Sequence, residues 1–199
     1  MAKDLNTAIK ERRSIYAIND KITVTEDKII SLVTDAVQHV PSAFNSQSSR
    51  AILLFGEHHK KLWDIVLNTL KSIVPPENFP DTQVKINSFS AGYGTVLYFD
   101  DTSVTNGFGD QYPIYRDNFL VWAQHSNGML QFAVWSLLEA EGLGATLQHY
   151  NPIIDDAVKE AFQLPASWHL IAQMPFGNPT APAGEKQFAP IEERLKIFK

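Results

Sequence analysis

No cysteine occurs anywhere in the 199 residues. That one absence removes disulfides, thiol nucleophiles, iron–sulfur clusters and cysteine-based zinc sites together. Long apolar runs are missing too, with none near the about 20 residues a membrane-spanning helix needs. The N-terminal stretch MAKDLNTAIKERRS is polar and carries no apolar signal core. There is no excess of positive charge: 17 Lys and Arg against 22 Asp and Glu give a net charge of −5, which argues against a nucleic-acid binder. The expectation is a cytoplasmic protein with neither a nucleic-acid nor a membrane partner. What is present is ordinary globular material, 44% hydrophobic and 20% charged, enough for the core of one domain spanning 1–199.

Familiar catalytic signatures fail on inspection. Gly92-Tyr93-Gly94 has Leu97 where a dinucleotide fingerprint needs glycine, and it precedes its strand rather than following one. Gly142-Leu143-Gly144 follows a helix and has Leu147 in the required place, so both pieces read as caps or turns. His58 and His59 are adjacent and point to different sides of a helix, and no HExxH spacing occurs, so no metal site is expected. No serine sits in a G-x-S-x-G elbow.

Periodicity predicts a short helix over 3–13 and another from a Thr23 or Thr25 cap to Val40, its first turn loaded by Glu26 and Asp27. The run 50–56 (RAILLFG) reads as a buried strand, and 57–73 as an amphipathic helix. Pro75, Pro76 and Pro80 break the chain before a short helix at 82–91. Strands follow at 94–99 and 168–176, with a short helix at 154–163 between them. The stretch 100–112 reads as loop, and the proline-bearing tail 178–199 as extended. The strongest helical signal, 117–141, is apolar on almost every side and must be covered on every side. A second subunit can supply that cover, as can the chain's own wrapping. The sum is an α+β domain with a small central sheet.

Two polar clusters stand out. Arg12, Arg13 and Ser14 sit where the first helix ends, and planar guanidiniums beside a hydroxyl suit a phosphate. Pro41 to Gln47 is a stiffened loop of amides and hydroxyls able to bond a polar ring edge. Each alone is also what plain surface looks like.

In this order the two clusters resemble the nitroreductase family, whose pattern is Arg-Arg-Ser-x-Arg followed by Pro-Ser-x-x-Asn-x-Gln. KINSFSAGYGTVLYFDD, SNGMLQFAVWSLLEAEGLGATLQHYNP and EKQFAPIEERLKIF extend the likeness to the short bacterial and fungal branch, over nearly the whole chain. The resemblance implies the nitroreductase-like α+β fold, a small central sheet of antiparallel type flanked by helices, built as an intertwined homodimer with one FMN in each of two clefts between subunits. It assigns the flavin phosphate and ribityl chain to Arg12, Arg13 and Ser14. The loop from the partner subunit maps to Pro41, Ser42, Ala43 and Asn45, with Gln47 in support. Gln148, His149 and Tyr150 would lie along the ring face and its N5 edge, Lys85 would reach the pyrimidine ring, and Lys186 and Arg194 would return to the phosphate.

Departures from the pattern are Tyr16 for its third basic residue, Phe188 two positions after Lys186, and Ser48-Ser49 where larger relatives have Pro-Trp. The chemistry implied is ping-pong: NADH or NADPH reduces the flavin at N5, then a small planar acceptor, nitroaromatic or quinone, takes the same place. No catalytic side chain is expected. Phe44, Tyr93, Tyr112 and Tyr150 are candidates to stack on the acceptor, or ordinary core. A flavin-binding regulatory or stress-response protein with little turnover is the alternative reading.

Overall fold

The computed structural model describes residues 2–199. Its strands are β1 (Ile18–Asn19), β2 (Ser49–Phe55), β3 (Gly94–Asp101), β4 (Gly144–Ala145) and β5 (Trp168–Pro179). Its helices are α1 (Leu5–Glu11), α2 (Glu26–His39), α3 (Gly56–Lys71), α4 (Phe79–Ser90), α5 (Thr102–Gln111), α6 (Arg116–Ala140), α7 (Asp155–Phe162) and α8 (Ile191–Arg194). The strands form one sheet in the order β1-β5-β3-β2, with β4 also on β5, and every strand pair is antiparallel. This is the α+β architecture expected.

β3 is buried along all of its residues, which explains its near-continuous apolar run GTVLYF: helices cover both faces of the sheet. On one face Ile29 and Val33 of α2 and Leu130, Val134 and Leu138 of α6 pack on Val96, Tyr98, Met174 and Phe176. On the other, Leu62, Trp63 and Val66 of α3, Ile86 and Phe89 of α4 and Val158 of α7 pack on Leu97, Phe99 and Leu170. Full burial of such a side chain stabilises by about 1.5–3 kcal/mol, so these two layers carry the fold.

Thr25 caps α2 by accepting from the Lys28 amide at 3.3 Å. Gly142 ends α6 at φ +81°, a conformation other residues adopt at a cost. The stretch 100–112 is not loop but α5. Asp101 caps it, its carboxylate accepting from the Ser103 amide at 3.2 Å, and that cap outweighs the two internal glycines. α4 starts earlier than periodicity suggested, because Pro80 sits in its first turn, where no amide donor is required. β1 and β4 are too short to leave a pattern.

One side of α6 stays uncovered within the chain. Leu120, Val121, Met129 and Phe132 are exposed, while polar Ser126, Asn127 and Gln131 are buried. β2 is an edge strand, and beside it Ile30, Val33, Val37, Ala51, Leu53 and Phe55 line an open apolar groove of about 570 Å3. The tail is extended except for the single turn of α8, and its Phe188, Ile191, Leu195, Ile197 and Phe198 are between 54% and 95% exposed.

Candidate functional site

α1 ends at Arg12, whose amide still donates to the Ala8 carbonyl at 2.8 Å. The chain then runs beside β4: Ser14 bridges Ala145, and the Ile15 amide donates to the Ala145 carbonyl at 3.0 Å. This holds two arginines over a fixed backbone. The Arg12 guanidinium lies 4.3 Å above the Trp135 ring of α6. Its Nε is buried without a hydrogen-bond partner among the described residues, and burial holds its pKa below the usual arginine value. Arg13 donates from Nη2 to the Gly184 carbonyl at 2.7 Å, tying the tail down. Arg12, Arg13, Ser14, Tyr16 and Lys186 line one cleft of about 530 Å3, with no carboxylate in its wall. A cleft with three cations, a serine hydroxyl and an orphaned buried N–H fits the phosphate of FMN.

The loop 41–47 is rigid for a different reason. A 3-10 turn covers Ala43–Asn45, and Phe44, Asn45 and Gln47 all have positive φ (55°, 52° and 50°). The Ser42 hydroxyl accepts from the Gln47 amide at 2.9 Å, and the Gln47 carbonyl accepts from Arg50 at 2.6 Å. Arg50 in turn pairs with Asp101 at 3.0 Å. Pro41, Ser42 and Gln47 line a second cleft of about 250 Å3 that shares no lining residue with the first. Within one chain, therefore, the two sequence clusters do not form a common pocket.

The segment after α6 zips along β5. Gln148 is buried, its amide nitrogen donating to the Thr146 hydroxyl at 3.0 Å, while His149 is exposed and Tyr150 half-buried. Tyr150 stands edge-on to Trp63 at 6.1 Å, and burial together with nearby Tyr16 pushes its pKa up to about 12. Tyr16 in turn lies 6.1 Å from Phe89 of α4, one turn beyond the exposed Lys85. Arg194 is exposed in α8 and takes no part in the first cleft. Of the candidate aromatics, Phe44 and Tyr112 meet at 5.1 Å in a cluster with Phe119 and Trp122. Tyr93 is elsewhere, donating to Glu26 at 2.6 Å, which pushes its pKa up to about 12. Trp135 and Gln173 escaped sequence reasoning. Nothing in the sequence marks Trp135 as a platform, but a lone glutamine inside WHLIAQMPF was a signal.

An antiparallel sheet between two helical layers, with a cationic cleft where the N-terminal segment meets the tail, is the nitroreductase-like α+β fold. The chain belongs to the nitroreductase family, an oxidoreductase family, whose sequence profile ("Nitroreductase family") matches residues 9–178. HBN1 of Saccharomyces cerevisiae, whose name places it among the nitroreductases, is 38% identical over 94% of this chain and 93% of its own. The nitroreductase FRM2 of the same yeast is 34% identical over 91% of each. Nitroreductase CinD from Lactococcus lactis, solved with nicotinic acid, superposes with a TM-score of 0.92 at 40% identity, covering 98% of this chain and 100% of CinD. CinD has also been solved with chloramphenicol and with 4-nitrophenol, both at TM-score 0.90. A more distant fold relative from Desulfovibrio desulfuricans, solved with FMN, has a TM-score of 0.69 at 20% identity over the full length of both chains.

Proposed function

We propose that this chain is an FMN-dependent NAD(P)H oxidoreductase that works as a homodimer and reduces flat, electron-poor acceptors of the nitroaromatic or quinone class. The observation that carries the reading is the Arg12–Arg13–Lys186 cleft. Arg12 is half-buried with its Nε left unpartnered, the cleft it shares with Arg13 and Lys186 has no carboxylate in its wall, and an anionic ligand there would satisfy that donor and balance the three cations. FMN supplies the anion. It is the ligand of the Desulfovibrio fold relative, and CinD was solved with chloramphenicol and 4-nitrophenol, both of which carry a nitrophenyl ring.

The dimer follows from surfaces the single chain leaves open. The apolar side of α6 needs cover, β2 offers an unpaired backbone edge beside an apolar groove, and the tail presents apolar side chains in extended form. A tail from one subunit along β2 of the other satisfies the last two, and α6 against its counterpart covers the first. The loop Pro41–Gln47 of one subunit then closes the cationic cleft of the other, which accounts for two separate half-sites in one chain.

In that site Arg12, Arg13 and Lys186 hold the phosphate, Ser14 bonds the ribityl side, and Arg194 from the tail adds a further cation. Gln148, His149 and Tyr150 lie along the ring system, with Lys85 directed to its polar edge. Pro41, Ser42, Ala43, Asn45 and Gln47 form the opposite wall, and Phe44 and Tyr112 face the acceptor. When bound, FMN supplies two-electron hydride acceptance and release. The protein's share is to bind, orient and exclude water, worth several kcal/mol of barrier through orientation alone. Donor and acceptor use one cleft in turn, so turnover is ping-pong.

Fluorescence titration of the purified apoprotein with FMN tests this. Arg12→Ala and Arg13→Ala each remove charge-assisted bonds worth about 1.5–3 kcal/mol, so the Kd rises about tenfold to a hundredfold. Bleaching of the holoprotein by NADH or NADPH and its recovery with 4-nitrophenol complete the test. Protein that takes up no FMN refutes the proposal, and uptake without turnover points to a flavin-binding regulator.

A further inference from the structure

We propose that Gln173 is a positioning residue: its side chain fixes the segment Gln148–Tyr150 in the orientation in which that segment lines the flavin site. The inference rests on the FMN reading above. Gln173 lies in the middle of β5, opposite Leu97 of β3, and is fully buried. An uncharged polar side chain in a strand covered on both faces loses free energy unless it is paired.

Its pairing is unusual. The chain after α6 runs antiparallel to β5 through Gly144–Gly177 and Ala145–Phe176, then a bond from the Thr146 amide to the Pro175 carbonyl at 3.2 Å. The backbone ladder closes at Gln148 and Gln173, which exchange two bonds of 2.7 and 2.9 Å. Tyr150, two residues on, finds a side chain where a carbonyl would be expected: its amide donates to Gln173 Oε1 at 2.8 Å. Any residue but proline at 173 can make the two backbone bonds. Only an amide or acid acceptor of this length makes the third.

Gln173 Nε2 has no partner among the described residues. The side chain is thus half satisfied, and a methionine would fill the same space without a buried orphan donor. What glutamine adds is the hold on Tyr150. With the backbone of Gln148 and Tyr150 both tied to Gln173, the segment is held at both ends, Gln148 buried, Tyr150 half-buried and His149 between them turned to solvent.

Gln173→Met and Gln173→Glu separate this role from packing. In the apoprotein, Gln173→Met raises hydrogen exchange at the Tyr150 amide at least tenfold with a melting temperature close to wild type, whereas Gln173→Glu, measured at a pH low enough for burial to hold its carboxyl in the neutral acid form, keeps the acceptor and wild-type exchange. With FMN, Gln173→Met raises the Kd about tenfold, and at saturating FMN it shifts the flavin absorption maximum and midpoint potential; Gln173→Glu restores the affinity. Unmoved exchange in Gln173→Met overturns the proposal. So does faster exchange with unchanged FMN affinity and potential, since the pin would then be structural alone. Wild-type protein that binds no FMN overturns the flavin reading, and the positioning role with it, an outcome distinct from normal FMN uptake by both variants.

Discussion

Acidification should strike this protein first at His59. The residue lies on α3 and is 2% exposed. Its Nε2 faces the Ser90 carbonyl at 3.2 Å, which can only accept, so Nε2 carries the proton. Nδ1 is then an acceptor, and the Thr95 hydroxyl at 2.8 Å donates to it. Thr95 Oγ1 in turn accepts from Trp63 Nε1 at 3.0 Å. The chain of bonds is complete only with a neutral imidazole. Burial pushes the His59 pKa down from 6.5 to about 4. In the unfolded chain the ring protonates near its ordinary value, so as pH falls the unfolded state binds the proton first. The stabilisation is present above about pH 6.5, is lost progressively as pH falls to about 4, and changes no further below. At about 1.36 kcal/mol per pKa unit, the interval from 6.5 to about 4 amounts to about 3 kcal/mol. Urea unfolding of the apoprotein at fixed protein concentration, from pH 7.5 down to pH 4, measures it. His59→Gln keeps a donor for Ser90 but cannot titrate. It should start less stable by about 1–2 kcal/mol and lose about 3 kcal/mol less across the window, other titrating groups being common to both proteins. Parallel stability curves for the two would refute the neutral-histidine network.

Phe44 has φ +55°, so the usual ranking of small residues should invert: Phe44→Gly is expected to be less destabilising than Phe44→Ala by roughly 1 kcal/mol in urea titrations, and the opposite order would show the turn relaxes freely. A chain ending at Gln187 lacks the exposed apolar tail; light scattering should find it monomeric at concentrations where the full chain is dimeric, with its circular dichroism retained. A dimer there would exclude the tail as the bridge.

Much of the sheet was legible because burial writes itself into the residues. β3 and β5 are covered on both faces and read as largely apolar runs, broken in β5 by His169 and Gln173, and α2 announced itself by Thr25, Glu26 and Asp27. α5 was not legible: Gly107, Gly109 and the adjacent aspartates have the composition of a loop, and only the placement of Asp101 at the end of β3 turns one of them into a cap. β1 and β4 exist because β5 is there to pair with them, which no local pattern expresses. The site divides in the same way. Arg12, Arg13 and Ser14 are neighbours in sequence and could be read as a cluster, and Lys186 does join them. Trp135 comes beneath Arg12 only through the packing of α1 on α6, a relation between distant residues.

The places where this chain breaks local rules are not scattered. A guanidinium Nε is buried without an acceptor at Arg12, non-glycine residues hold positive φ at Phe44, Asn45 and Gln47, a polar side chain is half satisfied at Gln173, and apolar surface is open on α6 and beside β2. Each is a cost that a self-sufficient fold would have shed, since substitution to an ordinary residue relieves it. They also answer one another chemically. The unpaired cation calls for an anion, the open strand edge for an extended segment such as the chain's own tail, and the strained loop and the pinned 148–150 segment for a body between them. On the function proposed above, a subunit with these features is half of a site, and a second copy and an anionic, planar ligand would recover the stability it forgoes alone.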